Sequence, residues 1–420
     1  MASESTDNFI PATQSELSRF VSENAAEHKH PLYPVGGRTS LNYGYPTGAN
    51  GTTVSTSELT KTIDYPARDM TITVQAGIRI DNLARMLKSE NQQLPVDVAQ
   101  SHRATLGGVV ATNTSGPRRF AHGTMRDYVI GMSAVDAQGR LFSAGGRVVK
   151  NVAGYDLCKL MVGSMGTLAI LTQLTLKLRP LAETSALLWT TYKSFTQIDV
   201  TLERLLTSAA RPVAIEVLDP KAAQQIQSEA RYDLPTNGPV LCLGIEGTER
   251  EIDWQVECLQ RECADAQSVQ STVVKSDIAE PLWKALTEFQ VNVDEPLTFQ
   301  ANLLPSRTME FVECTTRLGV AVQAHAGNGI VIGHLSDDIA TINKATEIVT
   351  SLRQLARQNH GNLVIFHCNA AWKNQLPVFG YPEPSWPLMR KLKRELDPDN
   401  ILNPTRFIDG AMRRTGDETP

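Results

Sequence analysis

The groups best able to do chemistry in this chain lie in three glycine-rich segments. The first is Pro34-Val35-Gly36-Gly37-Arg38-Thr39-Ser40, with Gly44 just beyond. Two adjacent glycines let several N–H groups turn toward one anion without Cβ clashes. Thr39 and Ser40 add hydroxyl donors, and Arg38 adds a charge. No G-x-x-x-x-G-K-[ST] loop and no G-x-G-x-x-G fingerprint occurs. The segment therefore reads as an anion-binding turn of another kind or as a plain glycine-rich turn. The second segment runs from Ala104 through Thr105, Leu106, Gly107, Gly108 and Thr112 to Ser115-Gly116. Gly107 and Gly108 are expected to open a short helix whose N-terminus faces a phosphate or a ring edge. Ser115-Gly116 allows another close backbone approach. Arg118 and Arg119 read as solvated surface charges or as part of the same site. The third segment is Lys150–Leu157, then Gly163–Ile170, which includes Gly166, Thr167 and Ile170. Gly and Ser beside apolar residues suit a flat ring laid against backbone; they equally suit a loop entering a core strand.

Other reactive side chains form no complete set. Six cysteines lie at positions 158, 242, 258, 263, 314 and 368, and none forms Cys-x-x-Cys, so no zinc or iron–sulfur site is written here. They are expected to be reduced thiols of a cytosolic chain, packed as small core residues. His325 sits in His325-Ala326-Gly327-Asn328-Gly329, which reads from its residues as a hairpin turn.

The chain that must position these groups has 420 residues, 40 Lys+Arg and 45 Asp+Glu, for a net charge of −5. Its length suits about two or three domains. No run of about 18 apolar residues is present, so no membrane span is expected. The first 30 residues lack the basic and apolar pattern of a signal peptide. A mildly acidic chain without a basic stripe gives no reason to expect nucleic acid as a partner.

Two textures follow. Residues 31–180 are rich in Gly, Thr, Ser and Val. Period-two alternation predicts a strand over Met70–Ala76; Tyr128–Val135 and the Thr- and Leu-rich Gly166–Leu178 read as further strands, with a turn at 136–139 into Arg140–Ala144. Ile80, Leu83, Ala84 and Leu87 mark a helix expected to end at Leu94-Pro95. Beyond residue 183, strands at Val213–Leu218, Val240–Glu246, Leu297–Leu304, Val320–Ala324, Ile330–Gly333 and Leu363–His367 alternate with amphipathic helices. One helix carries Ile252, Val256, Leu259 and Cys263 on a stripe. Another, near 337–359, carries Ile339, Ile342, Ala345, Ile348, Leu352 and Leu355, with Gly361 at its end. From 297 the order is β-α-β-β-α-β, the split βαβ pattern, with Ser306 as a cap for its first helix. The expected fold is α+β with an antiparallel sheet in the second half. Leu388–Arg394 forms a last helix. Residues 1–8 and 409–420 are expected to be disordered.

The order and spacing of the three glycine segments, with the tail Asp397-Pro398-Asp399-Asn400-Ile401-Leu402-Asn403-Pro404, resemble the FAD-binding domain of the vanillyl-alcohol oxidase (PCMH) family. Within it, Ala104–Gly116, Ser115–Arg119 and Lys150–Leu157 look most like the FAD-binding subunits of glycolate oxidases. The resemblance implies a PCMH-type FAD-binding domain over 1–182, an α+β cap domain over 183–385, and a helix and tail over 386–420 packing back on the first domain. It implies FAD pyrophosphate at Gly36–Ser40 and flavin contacts at Thr105–Gly108, Ser115 and Gly166–Ile170. Covalent members carry His where this chain has Arg38, and a Cys where it has Ser101-His102-Arg103, so the implied FAD is non-covalent. His325–Gly329 resembles the H-x-G-D-G-N-x-H motif of catalytic 2-hydroxy-acid dehydrogenases. Asn328 replaces the Asp and Ile332 the second His, so no metal is expected, and His325 is the catalytic candidate. The implied activity is oxidation of a small 2-hydroxy acid, glycolate above all. The implied partners are a second flavoprotein subunit and an iron–sulfur subunit. Such a chain is expected in the cytoplasm, reaching the inner membrane only peripherally through partner subunits. Two other readings stand beside this one: a self-sufficient FAD-dependent D-2-hydroxy-acid dehydrogenase, and an assembly subunit with a vestigial flavin pocket.

Overall fold

A computed structural model of the chain describes residues 7–47, 50–146, 155–291, 295–336 and 341–408. Lys150–Gly154 of the third glycine segment, Ile339 of the expected helix stripe, and the tails 1–6 and 409–420 lie outside the described residues. The chain forms two compact units. One holds residues 1–114, 124–181 and 373–420; the other holds Ser115–Gly123 and Ala182–Trp372.

The elements of the N-terminal stretch are β1 (Asp7–Phe9), α1 (Gln14–Glu23), β2 (Leu32–Val35), β3 (Thr52–Ser55), β4 (Thr62–Asp64), β5 (Thr71–Gln75), α2 (Ile80–Lys88) and β6 (Gln92–Gln93). They continue with α3 (Leu106–Thr112), α4 (Arg119–His122), α5 (Met125–Tyr128), β7 (Val129–Val135), β8 (Leu141–Gly145), α6 (Leu157–Met161), β9 (Ile170–Lys177) and β10 (Arg179–Pro180). Asp7 and Asn8, expected in a disordered leader, pair with Thr52 and Thr53 of β3. An antiparallel sheet of order β4-β5-β9-β7-β8 and a parallel sheet of order β1-β3-β2 make the unit's frame. Ile72, Val74, Leu83, Leu106, Val110, Leu174 and Leu176 are buried together in its core. Each such side chain contributes about 1.5–3 kcal/mol on leaving water. Helix α2 stops at Lys88, before Leu94-Pro95, because Gln92–Gln93 pairs with Arg179–Pro180. Residues 166–169 precede β9 instead of joining it; Gly166 takes a left-handed φ of 65° that a regular strand excludes.

The second unit contains β11 (Thr184–Thr191), α7 (Phe195–Leu205), β12 (Ala214–Leu218), α8 (Pro220–Ala230), β13 (Val240–Gly247), α9 (Glu249–Asp265), β14 (Gln270–Lys275) and α10 (Glu280–Glu288). Then come β15 (Leu297–Asn302), α11 (Thr308–Arg317), β16 (Ala321–His325), β17 (Ile330–Leu335), α12 (Ile342–Gln358) and β18 (Asn362–Cys368). All eight strands join one antiparallel sheet of order β14-β11-β13-β12-β16-β17-β15-β18. The expected β-α-β-β-α-β run is β15-α11-β16-β17-α12-β18. The preceding half repeats the same strand order, with α8 inserted, so the sheet is two split βαβ halves joined edge to edge at β12 and β16. Helix α9 buries Ile252, Val256, Leu259 and Cys263, and Thr248 with Glu251 forms its capping box. Ser306 does not cap α11; it lies in a 3-10 turn over Pro305–Arg307, and no side chain caps the helix. The left-handed residue after α12 is His360 (φ 56°) rather than Gly361. The last helix, α13 (Trp386–Leu396), belongs to the first unit, as do residues 373–385, which the sequence grouped with the cap. Among the described residues no helix is long and apolar enough to cross a membrane.

Candidate functional site

The first unit holds an open cavity of about 820 Å³, its solvent-filled mouth included. Of the residues expected at the cofactor, Pro34, Val35, Gly36, Gly37, Arg38, Thr39, Ser40, Gly107, Gly108, Thr112, Gly166 and Ile170 line it. Thr105, Leu106 and Thr167 do not. Thr105 Oγ1 accepts from the N–H of Gly37 (3.3 Å) and of Gly108 (3.4 Å), tying the first two segments together. Leu106 is fully buried in the core, and the Thr167 hydroxyl donates to Ser164 O at 2.7 Å. Ser115 and Gly116 leave the first unit altogether and cluster with the second.

The glycines have two separate jobs. A Cβ on Gly37 would stand 1.8 Å from Arg103 O, so this residue is bare because backbone passes over backbone. A Cβ on Gly108 would meet only Thr105 Oγ1, at 3.2 Å, and otherwise open space. That is the place where a ligand can lie flat on the chain. The expected anion site at the start of α3 is not available. Leu106 N donates to Ile78 O, Gly107 N to Ala76 O and Gly108 N to Thr105 Oγ1. By contrast, the N–H groups of Arg38, Thr39 and Ser40 have no partner among the described residues. Arg38 takes a left-handed φ of 57° in this loop. Among the described residues the lining includes two arginines, Arg38 and Arg406, and no carboxylate, which suits an anion.

The tail motif supplies a wall. Buried Asp397 accepts from Ile401 N (2.9 Å) and Leu402 N (2.8 Å), and Leu32 and Leu402 form a parallel bridge beside β2. This sets Asn403 at the cavity, where its Nδ2 donates to Met165 O at 2.8 Å and its buried Oδ1 has no partner. Lys393 Nζ donates to Thr167 O and Leu402 O, both at 2.8 Å, holding the third glycine segment to the tail. The unsatisfied Asn403 Oδ1, the free loop N–H groups and the open face of Gly108 fit a large planar anion such as FAD. Asn403 and Arg406 were not among the expected cofactor contacts; the tail motif was the one signal that pointed toward them.

The second unit carries a buried polar pair. His325 closes β16, directly across from Glu216 on β12. Its Nδ1 donates to the Glu216 carboxylate, 2.8 Å from each oxygen, and its Nε2 is buried without a partner. Gln323 Nε2 donates to Glu216 Oε2 at 2.6 Å. His334 is not a second ligand. Its Nε2 donates to Phe289 O (2.5 Å) and its Nδ1 accepts from Thr298 Oγ1 (2.9 Å). Burial, more than the nearby His367, lowers its pKa to about 4. Among the described residues no group of three or more His, Cys, Asp or Glu could hold a metal ion. Arg118 is not a solvated charge. Its Nε lies 2.5 Å from Glu246 Oε1 and its guanidinium stacks 3.7 Å from the Trp283 ring centroid. Burial pushes the Glu246 carboxyl up, but bonds from His122 and Arg118 outweigh it and hold the group below its usual range.

Two family models match the chain: FAD binding domain over residues 8–145, and FAD linked oxidases, C-terminal domain, over residues 181–407. The chain is 27% identical over 422 residues to glycolate oxidase subunit GlcD of Bacillus subtilis (strain 168), covering 96% of this chain and 89% of that protein. It is 26% identical over 427 residues to a D-lactate dehydrogenase of Archaeoglobus fulgidus, covering 97% and 93%. It is 36% identical over 157 residues to glycolate oxidase subunit GlcE of Escherichia coli (strain K12), covering 37% and 44%. Among solved structures, p-cresol methylhydroxylase with substrate bound matches at TM-score 0.72 and 15% identity, over 95% of this chain and 88% of that one, a likeness of fold.

Proposed function

The chain belongs to the FAD-linked oxidases, and we propose that it oxidises the CH–OH group of a small 2-hydroxy acid, glycolate above all, as the FAD-binding subunit of a glycolate oxidase. The observation that carries this reading is the buried Glu216–His325 pair with its unpartnered Nε2. An alcohol loses its hydroxyl proton as its α-hydrogen departs with two electrons. An imidazole whose Nδ1–H is held by a carboxylate offers the Nε2 lone pair to that proton, and the carboxylate stabilises the resulting cation. Bound FAD would supply the two-electron acceptor. Arg38, Thr39, Ser40, Gly108 and Asn403 are the residues that would hold it, without a covalent bond.

The route of the electrons favours an assembly. The chain has no nicotinamide fingerprint, so electrons must leave by an external carrier. The likeness to two differently named glycolate oxidase subunits supports a sister flavoprotein, and an iron–sulfur subunit is the proposed acceptor. A second reading, a self-sufficient D-2-hydroxy-acid dehydrogenase, draws on the likeness to D-lactate dehydrogenases over nearly the whole chain. Dye reduction by the FAD-loaded single chain decides between them. Negligible turnover of glycolate and D-lactate alone, restored by adding the sister flavoprotein and iron–sulfur subunits, is expected. Robust turnover by the single chain would favour the second reading.

A further inference from the structure

Four consecutive carbonyls follow the anion loop, and two cations from far along the chain claim them in alternation. Arg406 Nη1 donates to Leu41 O (2.5 Å) and Tyr43 O (3.0 Å). Lys373 Nζ donates to Asn42 O and to Gly44 O, the latter at 2.9 Å. Lys373 is buried, with 4% of its surface exposed. The turn is closed by Tyr43 N donating to Ser40 O (3.1 Å), and Tyr45 N donates to Arg406 O (2.9 Å).

Four carbonyl oxygens gathered in one turn repel each other unless positive charge sits among them. Once it does, the turn has one arrangement, with its acceptors drawn to the cations. The adjoining residues Arg38–Ser40 then keep their N–H groups uncommitted and the loop fixed. Arg406 also lines the cavity, so its charge reaches the same anion that the N–H groups face.

We infer that Arg406 and Lys373 are positioning residues for the cofactor's phosphates, a carbonyl clamp that holds the Gly36–Ser40 loop in its anion-receiving form. The inference rests on the proposed FAD site. It gives the tail a direct role in cofactor affinity in addition to its packing. Two charges, neither of them in the glycine segments, set how tightly the loop holds its ligand.

The test measures FAD dissociation constants of the apoprotein by flavin-fluorescence quenching, for the wild type, Arg406→Met, Arg406→Lys and Lys373→Met. The fold of each variant is checked by circular dichroism and thermal melting. Arg406→Met is expected to weaken FAD binding at least tenfold, with Arg406→Lys recovering part of the loss. The salt dependence of binding is expected to be shallower in Arg406→Met than in the wild type. Lys373→Met is expected to weaken binding similarly. If it does not fold, Arg406→Met, at the cavity rim, decides alone. A folded Arg406→Met that binds FAD as the wild type does would overturn the clamp. A wild type that does not bind FAD would instead overturn the cofactor reading itself.

Discussion

Glu216 and His325 face each other across the seam between the two split βαβ halves of the sheet, with Nδ1 2.8 Å from both carboxylate oxygens. Both are buried, at 1% and 2% exposure. A buried carboxylate on a central strand is costly unless it is bonded. Here His325 and Gln323 both donate to it. The pair therefore settles the histidine's tautomer and leaves Nε2 as the nitrogen free to exchange a proton.

Glu216→Gln should retain the shape of this contact and lose its charge. We expect kcat of the assembled enzyme to fall by about a hundredfold or more, with FAD occupancy unchanged, since the cavity lies in the other unit. His325→Asn should fall at least as far. Steady-state turnover together with flavin absorbance tests this; unchanged kcat in both variants would remove His325 from the chemistry.

Gly108→Val should empty the flavin site. Valine has somewhat better helix propensity than glycine, by a few tenths of a kcal/mol, so α3 should not be weakened. Its branched side chain would fill the open face that only Thr105 Oγ1 borders at present. Flavin per chain should drop below about a tenth of the wild-type value while the apoprotein's melting temperature stays close to wild type. Normal flavin content would show that the cofactor does not lie against this helix.

Acid precipitation of the holoprotein should leave the flavin in the supernatant. Among the described residues the cavity lining holds no His and no Cys. Its one phenol, Tyr43, is pushed well above its usual pKa by burial, which the bond with Ser40 only partly offsets, making it a poor nucleophile. Flavin in the pellet would contradict non-covalent binding.

Prolonged dialysis against a strong chelator should leave turnover of the assembled enzyme's flavoprotein step unchanged. Both His334 nitrogens are already bonded within the chain, and among the described residues no group of three or more His, Cys, Asp or Glu could hold a metal ion. A loss of activity restored by one divalent metal would reverse this expectation.

The helices and their stripes were largely legible in the sequence, because residues such as Ile252, Val256 and Leu259 repeat with the period of a single buried face. Strand β11 was not. Thr184–Thr191 lies between β13 and β14 and is buried at nearly every position, so it lacks alternation. The doubling of the second unit is a repeat of topology, and the insertion of α8 in one half hides it from residue spacing. The cofactor loop was legible from composition, which placed anion-facing N–H groups at Gly36–Ser40; the second anion site expected at the start of α3 was not, because its N–H groups bond to Ile78, Ala76 and Thr105. Glu216 was invisible in its apolar run Ala214-Ile215-Glu216-Val217-Leu218. Its partner is 109 positions away, and strand register alone brings them together. Arg406 and Lys373 were hidden for the same reason.

The fold enforces the neutral state of His334. In the unfolded chain its pKa is near the ordinary 6.5; in the native chain burial brings it down to about 4. Above pH 6.5 the imidazole is neutral in both states and the native bonds to Phe289 and Thr298 are intact. As pH falls from 6.5 toward 4, the unfolded chain takes up a proton that the native chain refuses, so stability is lost across that window. The full difference is on the order of 3 kcal/mol. Below about pH 4 both states are protonated and this contribution stops changing. His334→Gln removes the titration, so its melting temperature should fall less steeply than that of the wild type between pH 6.5 and 4, although the variant starts lower at pH 7. Parallel melting curves recorded at half-unit steps test this; identical slopes for the two proteins would show that His334 is protonated as readily in the fold as out of it.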